Sequence, residues 1–275
     1  MVTEVEIENR FLKIDGIRSH VQIAGTGPDF VLVHGLGGPL MWQKVIEPLA
    51  QNFRVIVIDL PGFGDSDPPE KSLSAIEHAD FLSRCLVELG CERVNLCGIS
   101  YGGQVAALCA IRHPAGMKNL VLLCSTGLIN PPMFLQSNFV WRITRGVLRN
   151  TVLRSEYFLC RLGARSFYNR MARPDDLCSK FFTQLSRIGG RETWLDTFRN
   201  SFSGENELRS CIAHLQISTL IIWGENDITV PIKYAKEFRR HIPHSKLIKY
   251  EKCAHSIPLE TPERFCKDVV EFLKA

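Results

Sequence analysis

The chain has 275 residues, 45% hydrophobic and 23% charged, with a net charge of +4. That length buries one large core, with or without an inserted subdomain; the composition is that expected of a soluble globular protein, and no stretch reaches the ~18 uninterrupted apolar residues of a membrane-spanning helix. Ten cysteines form no C-x-x-C pair and no zinc-spaced Cys/His cluster, so no metal site is expected and the thiols read as reduced and buried, not as a disulfide framework.

The opening MVTEVEIENR carries acids and no apolar stretch, so no secretion signal is expected and the cytoplasm is the expected compartment. Apolar, β-branched runs then predict strands at 5–14 and 17–24, closed into an antiparallel hairpin by Asp15-Gly16. Strands follow at 29–34 (DFVLVH) and 54–59 (RVIVID), then a helix over 73–89 with Leu73, Ile76, Phe81, Leu82, Leu86 and Leu89 on one stripe. A strand at 93–98 leads into a helix over 101–112, and another strand covers 118–125. The interior strands are continuously hydrophobic, as parallel strands covered on both faces are. Strands at 217–224 and 245–251, with helices over 231–241 and 261–273, complete an alternating pattern. The expectation is an α/β fold: a mostly parallel eight-stranded sheet with helices on both faces.

Between 127 and 213 the alternation stops and helical patterning takes over, after Pro131-Pro132. That is too long for a loop inside a compact domain. It reads as a helical insertion, leaving residues 1–126 and 214–275 as the core.

Gly98-Ile99-Ser100-Tyr101-Gly102 fits G-x-S-x-G, with a strand running in and a helix running out. A turn this tight lifts the serine hydroxyl above the sheet, and side chains two positions to either side would collide across it. The rival reading makes Ser100 the N-cap of the following helix. A serine nucleophile needs a base, and a base needs an orienting carboxylate. His255 follows the last strand and Asp227 the seventh, so a parallel sheet places both on the edge that carries Ser100. Glu225 and Asp59 are rival acids; DLPGFGDSD looks more like a turn in which Asp59, Asp65 and Asp67 bond the backbone. His20, His78, His113, His214, His241 and His244 read as surface or packing residues. An oxyanion needs two donors: the backbone N–H of Tyr101, and that of Leu36 in the glycine-rich HGLGG after strand three. HGLGG lacks the G-K-[ST] and G-x-G-x-x-G signatures of phosphate loops.

The order HGLGG, DLPGFGDSD, GISYGG, GENDITVP, AHSIPLE resembles the α/β-hydrolases with a lid, over nearly the whole chain. The resemblance implies a Ser100–Asp227–His255 triad, oxyanion donors at Leu36 and Tyr101, a helical cap over the site, and no cofactor. Haloalkane dehalogenases and epoxide hydrolases of this group carry aspartate at the elbow, unlike this chain. Ring-cleavage carbon–carbon hydrolases resemble it more closely but usually place tryptophan after the histidine, where Ser256 stands here; cofactor-free perhydrolases share the triad. The expected function is hydrolysis of a small-molecule carboxylic ester, the alternatives being carbon–carbon hydrolysis of a vinylogous diketone, perhydrolysis, or a non-catalytic receptor.

Charge singles out the insertion. Residues 131–213 hold 13 Lys/Arg and 7 Asp/Glu, a net of +6, leaving −2 for the rest. Residues 139–173 contain eight arginines against Glu156 alone. Such a segment suits an anionic substrate group, an acidic carrier protein or an anionic membrane surface, the rival being a solvated helix face. No basic motif with an aromatic platform accompanies it, so nucleic acid is not expected.

Overall fold

The structure, a computed structural model, describes residues 5–130, 133–203 and 205–275. Pro131-Pro132, which the sequence offers as the start of the insertion, lies outside them. Eight strands form one sheet in the order β1-β2-β4-β3-β5-β6-β7-β8: β1 Ile7–Ile14, β2 Ile17–Ala24, β3 Asp29–Val33, β4 Arg54–Ile58, β5 Val94–Ile99, β6 Met117–Leu123, β7 Ser218–Gly224 and β8 Lys246–Tyr250. β1 and β2 pair antiparallel across Asp15 (φ 50°) and Gly16 (φ 83°), the left-handed pair an Asp-Gly hairpin turn requires. β2 also runs antiparallel to β4, and every other pairing is parallel.

The helices around this sheet are α1 Ile46–Ala50, α2 Ala75–Glu88, α3 Tyr101–Arg112, α10 Lys233–His241, α11 Ile257–Glu260 and α12 Pro262–Lys274. Between β6 and β7 the chain runs through α4 Met133–Gln136, α5 Asn138–Asn150, α6 Glu156–Gly163, α7 Leu177–Ser186, α8 Gly190–Ser203 and α9 Glu205–Cys211. α2 starts on a capping box: the Ser74 hydroxyl accepts from the Glu77 N–H, and the Glu77 carboxylate accepts from the Ser74 N–H. The short α1 and α11 escaped the sequence reading, because each offers too few residues for a helical period to register.

The sheet's interior is a dry core of Val31, Leu32, Ile56, Leu96, Val121 and Ile221, all fully buried. Its topology also sets the place of a site. β4 lies on one side of β3 and β5 on the other, so the loops after β3 and β5 part in opposite directions and open a crevice at their C-terminal ends.

The cysteine expectation needs one correction. Eight cysteines are free, but Cys160 on α6 and Cys178 on α7 are joined as a disulfide, with Cα atoms 5.5 Å apart. The pairing arises from the packing of two helices, and a separation of 18 residues carries no sequence signal. Six of the free thiols are buried, and burial is the first cause that pushes Cys85, Cys97, Cys109, Cys124, Cys253 and Cys266 above the ordinary thiol value.

Buried His78 gives the fold a pH signature. Its Nδ1 lies 2.8 Å from the Tyr101 hydroxyl and 3.1 Å from the Ser74 carbonyl. Burial, with the neighbouring His34 adding to it, pushes its pKa from 6.5 to about 4. A depressed histidine means that the unfolded chain binds the extra proton first. Stability is therefore complete above 6.5 and declines as pH falls from 6.5 toward about 4. The expected loss is on the order of 3 kcal/mol. Denaturant titrations of wild type and His78→Gln check this: the gap between their unfolding free energies should narrow across that window. A gap independent of pH would contradict it.

Candidate active site

Ser100 stands between β5 and α3 with φ 56° and ψ −121°, a left-handed conformation that costs a residue with a Cβ roughly 1–3 kcal/mol. Its side chain makes no capping hydrogen bond, so the helix-cap reading fails. Glycines permit this turn. A methyl group on Gly98 would strike the carbonyl oxygen of Gly102, and one on Gly102 would strike the carbonyl oxygens of Val33 and His34. These are the residues two positions before and after the serine. Gly98→Ala is accordingly expected to destabilise the fold by about 3 kcal/mol through overpacking. Gly146→Ala is the counterpart: Gly146 lies inside α5 with open space beside it, and it should gain up to about 1 kcal/mol. Unfolding midpoints of the two variants, shifted in opposite directions, check both.

His34 holds the glycine-rich turn in place. It is fully buried, its Nδ1–H donates to the Gly35 carbonyl at 2.7 Å, and its Nε2 accepts the Leu60 N–H at 3.0 Å. Burial pushes its pKa down, so the neutral ring these two bonds require is the favoured form. The turn closes through the Gly38 N–H to the Gly35 carbonyl at 3.1 Å. It lies against the serine: a Cβ on Gly35 would sit 2.8 Å from Ser100 Cβ. Tyr101 opens α3, so its N–H is one of the donors that a helix N-terminus leaves without an intrahelical acceptor.

His255 and Asp227 meet. The His255 Nδ1–H donates to Asp227 Oδ2 at 2.7 Å, with both residues buried. The other carboxylate oxygen, Oδ1, accepts from the Thr229 N–H at 2.8 Å and the Val230 N–H at 2.9 Å. Asp227 is thus fixed by three donors, and Nε2 of His255 is left as an acceptor. Glu225 is elsewhere, its carboxylate 3.7 Å from Lys249 and outside this contact. Asp59 is also elsewhere: its Oδ2 accepts from Asp65 N–H at 2.9 Å and pairs with His20 Nδ1 at 2.7 Å. Burial lowers the His20 pKa, but the Asp59 carboxylate more than reverses that, leaving it raised. Asp65 pairs with Arg187 of the insertion, so its carboxylate joins this core loop to the insertion.

Ser100, His255, Gly35 and Leu36 line one cavity of about 420 Å³. Its far walls come from the insertion: Leu159 and Leu162 of α6, Leu177 and Phe181 of α7, and Trp194 and Phe198 of α8. A mostly apolar chamber of this size suits a small organic molecule. Its charged members are Arg165 and Arg173.

Several contacts missed by the sequence reading fasten the insertion to the site. The Trp194 indole N–H donates to the Leu36 carbonyl at 3.0 Å. The backbone N–H groups of His255 and Ser256 donate to the Ser166 carbonyl at 3.1 and 3.0 Å. The Glu260 carboxylate accepts from Ala254 N–H on one oxygen and from Tyr168 and Asn169 N–H on the other. Backbone acceptors such as Ser166 carry no residue-type signal. Trp194 and Glu260 became legible only when the fold brought them to the sheet edge.

Cys124 lies behind the pair, its ligand atom within 4.8 Å of those of Asp227 and His255. Nδ1 of the imidazole and Oδ2 of the carboxylate are hydrogen-bonded to each other, so the arrangement is a hydrogen-bonded pair with a thiol packed near it.

A family model of the alpha/beta hydrolase fold matches residues 28–262. With the sheet order and the strand–serine–helix turn in place, the chain belongs to the alpha/beta hydrolase fold family of enzymes. Among its curated relatives, a pimeloyl-[acyl-carrier protein] methyl ester esterase of Nitrosomonas europaea is 27% identical over 258 residues, covering 90% of this chain and 96% of that one. A 2-hydroxy-6-oxononadienedioate/2-hydroxy-6-oxononatrienedioate hydrolase of Pseudomonas putida is 29% identical over 267 residues, covering 94% and 89%. Among solved structures, a 2-hydroxy-6-oxo-6-phenylhexa-2,4-dienoate hydrolase from Rhodococcus sp. strain RHA1 superposes with a TM-score of 0.84 at 22% identity, covering 99% of this chain and 100% of that one. That likeness is one of fold. Relatives of both hydrolase kinds thus fit ester hydrolysis or carbon–carbon hydrolysis.

Proposed function

We propose that the protein is a serine hydrolase that cleaves a carboxylic ester through an acyl-enzyme. The observation that carries this reading is the buried 2.7 Å contact of His255 Nδ1 with Asp227 Oδ2, on the wall of the cavity that also holds Ser100. Ser100 attacks the ester carbonyl, and His255 Nε2 takes its proton. Asp227 keeps the imidazole in the accepting tautomer and stabilises the imidazolium. The N–H groups of Leu36 and Tyr101 face the developing oxyanion, each worth roughly 3–4 kcal/mol in the transition state. The proton on His255 then goes to the leaving alcohol, and water resolves the acyl-enzyme by the same route in reverse. The helical insertion acts as a cap that closes an apolar acyl chamber over these groups.

A fluorophosphonate probe tests the nucleophile directly. It should label wild-type protein on the peptide containing Ser100 and leave Ser100→Ala unlabelled. Absence of labelling in the wild type would return the fold to the non-catalytic reading.

A second reading keeps the residues and changes the bond: carbon–carbon cleavage of a vinylogous diketone. Arg165 and Arg173 in the chamber favour it, since guanidinium binds a substrate carboxylate well, and the Pseudomonas putida relative is named for dioate substrates. Rates on simple esters and on such a ketone, compared at equal enzyme, separate the two readings. Among the described residues no helix is long and apolar enough to cross a membrane.

A further inference from the structure

A second cleft, of about 250 Å³, lies beside the reaction chamber. Tyr157, Arg161, Arg170 and Arg173 line it, and Phe167 and Arg173 line both cavities, so the two share a wall. Arg161 and Arg170 are exposed, and Arg173 is half-buried.

Three arginines of the insertion are neutralised by carboxylates. Arg145 pairs with Asp196, Arg149 with Glu192, and Arg187 with Asp65. Among the described residues, Arg161, Arg170 and Arg173 have no carboxylate within ion-pair distance. Arg161 and Arg173 have neutral acceptors instead. Arg161 Nη1 donates to the Tyr157 hydroxyl at 3.0 Å, and Arg173 Nη1 donates to the Cys160 carbonyl at 3.3 Å. Such acceptors orient a guanidinium without cancelling its charge, and each leaves most of its five donors free. Three like charges on one concave surface focus a positive potential there. Guanidinium forks match the oxygens of phosphate and carboxylate groups in a bidentate way that a solvated lysine does not.

We propose that this outer cleft is a subsite for an anionic oxygen group, phosphate or carboxylate, carried by the same acyl substrate whose carbonyl is presented to Ser100. The shared wall supplies the adjacency: Phe167 and Arg173 are common to both linings, and the proposed arm runs past these two side chains from chamber to cleft. The inference rests on the ester-hydrolase reading and adds a substrate class to it, namely acyl compounds with an anionic tail.

The test uses Arg161→Gln/Arg170→Gln. It spares Arg173, which lines the reaction chamber, and alters two exposed side chains, so the fold should be retained. Two substrate pairs distinguish the anions. Hexanoyl-4′-phosphopantetheine and hexanoyl-pantetheine share a thioester and differ in one phosphate. The monomethyl and dimethyl esters of adipic acid differ in a free carboxylate. Wild type should favour the anionic member of one pair in kcat/KM by roughly 10- to 100-fold, the range of a single charge-assisted hydrogen bond. The double variant should lose that preference while keeping its rate on the neutral member. The pair that responds names the anion. Equal rates within both pairs in wild type, or a preference that survives in the variant, overturns the proposal. Pyrophosphate titrated calorimetrically into Ser100→Ala, with and without the two arginine changes, reads the cleft independently of turnover. Binding that disappears with the arginines supports the subsite even where the ester reading fails, and no binding, or binding that ignores them, counts against it.

Discussion

Ser100→Ala is expected to fold like wild type and to lose turnover of a p-nitrophenyl ester by roughly four to six orders of magnitude. The retained fold follows from the local geometry, and the loss of turnover from the proposed role of Ser100 as nucleophile. Alanine keeps the Cβ, so the strain of φ 56° is unchanged. The hydroxyl makes no capping bond, so removing it leaves no structural partner unsatisfied. Stability should then stay within about 0.5 kcal/mol, as for a substitution that creates neither cavity nor orphaned group. The residual rate is what the oxyanion donors and substrate binding still provide. Ser100→Gly sharpens the separation: relief of the left-handed strain should stabilise the inactive protein by about 1 kcal/mol or more. Thermal or denaturant unfolding alongside the ester assay measures both quantities. A Ser100→Ala protein that hydrolyses near the wild-type rate would show that the nucleophile lies elsewhere.

Asp227→Asn should cost roughly 10⁴ in kcat with little change in structure. The reason lies in which oxygen is already committed. Oδ1 accepts two backbone N–H groups, from Thr229 and Val230, so the asparagine carbonyl must take that position. Its NH₂ then faces His255 Nδ1. The imidazole answers by accepting there and carrying its proton on Nε2, where it can no longer take one from Ser100. The loss should therefore appear in kcat, with ground-state binding preserved. Glu225→Gln should be nearly silent, because that carboxylate faces Lys249. A small effect at Asp227 together with a large one at Glu225 would reassign the acid.

Much of the architecture was legible in local pattern. All eight strands fall within a few residues of where β-branched runs put them, and the Asp15-Gly16 hairpin and the steric need for Gly98 followed from backbone chemistry alone, whereas the need for Gly102 comes from Val33 and His34 at the end of β3. Parallel topology then placed the loops bearing Ser100, Asp227 and His255 on one edge before any contact was known. Short helices such as α1 and α11 were not legible, because fewer than two turns cannot show a period. His78 read as a surface or packing residue; its burial beneath Tyr101, and the pKa of about 4 that follows, depend on neighbours distant in the chain.

The sequence by itself determined the fold class, the strained serine turn and the excess of arginine in the insertion, since each is a matter of local sterics or composition. Only the tertiary structure decided which of those arginines are neutralised, that Cys160 and Cys178 pair, and that Trp194, Ser166 and Glu260 tie the insertion to the loops bearing Leu36 and His255. Those outcomes depend on how helices 133–211 pack over the sheet edge, and side-chain contacts between distant segments have no period for a sequence to display.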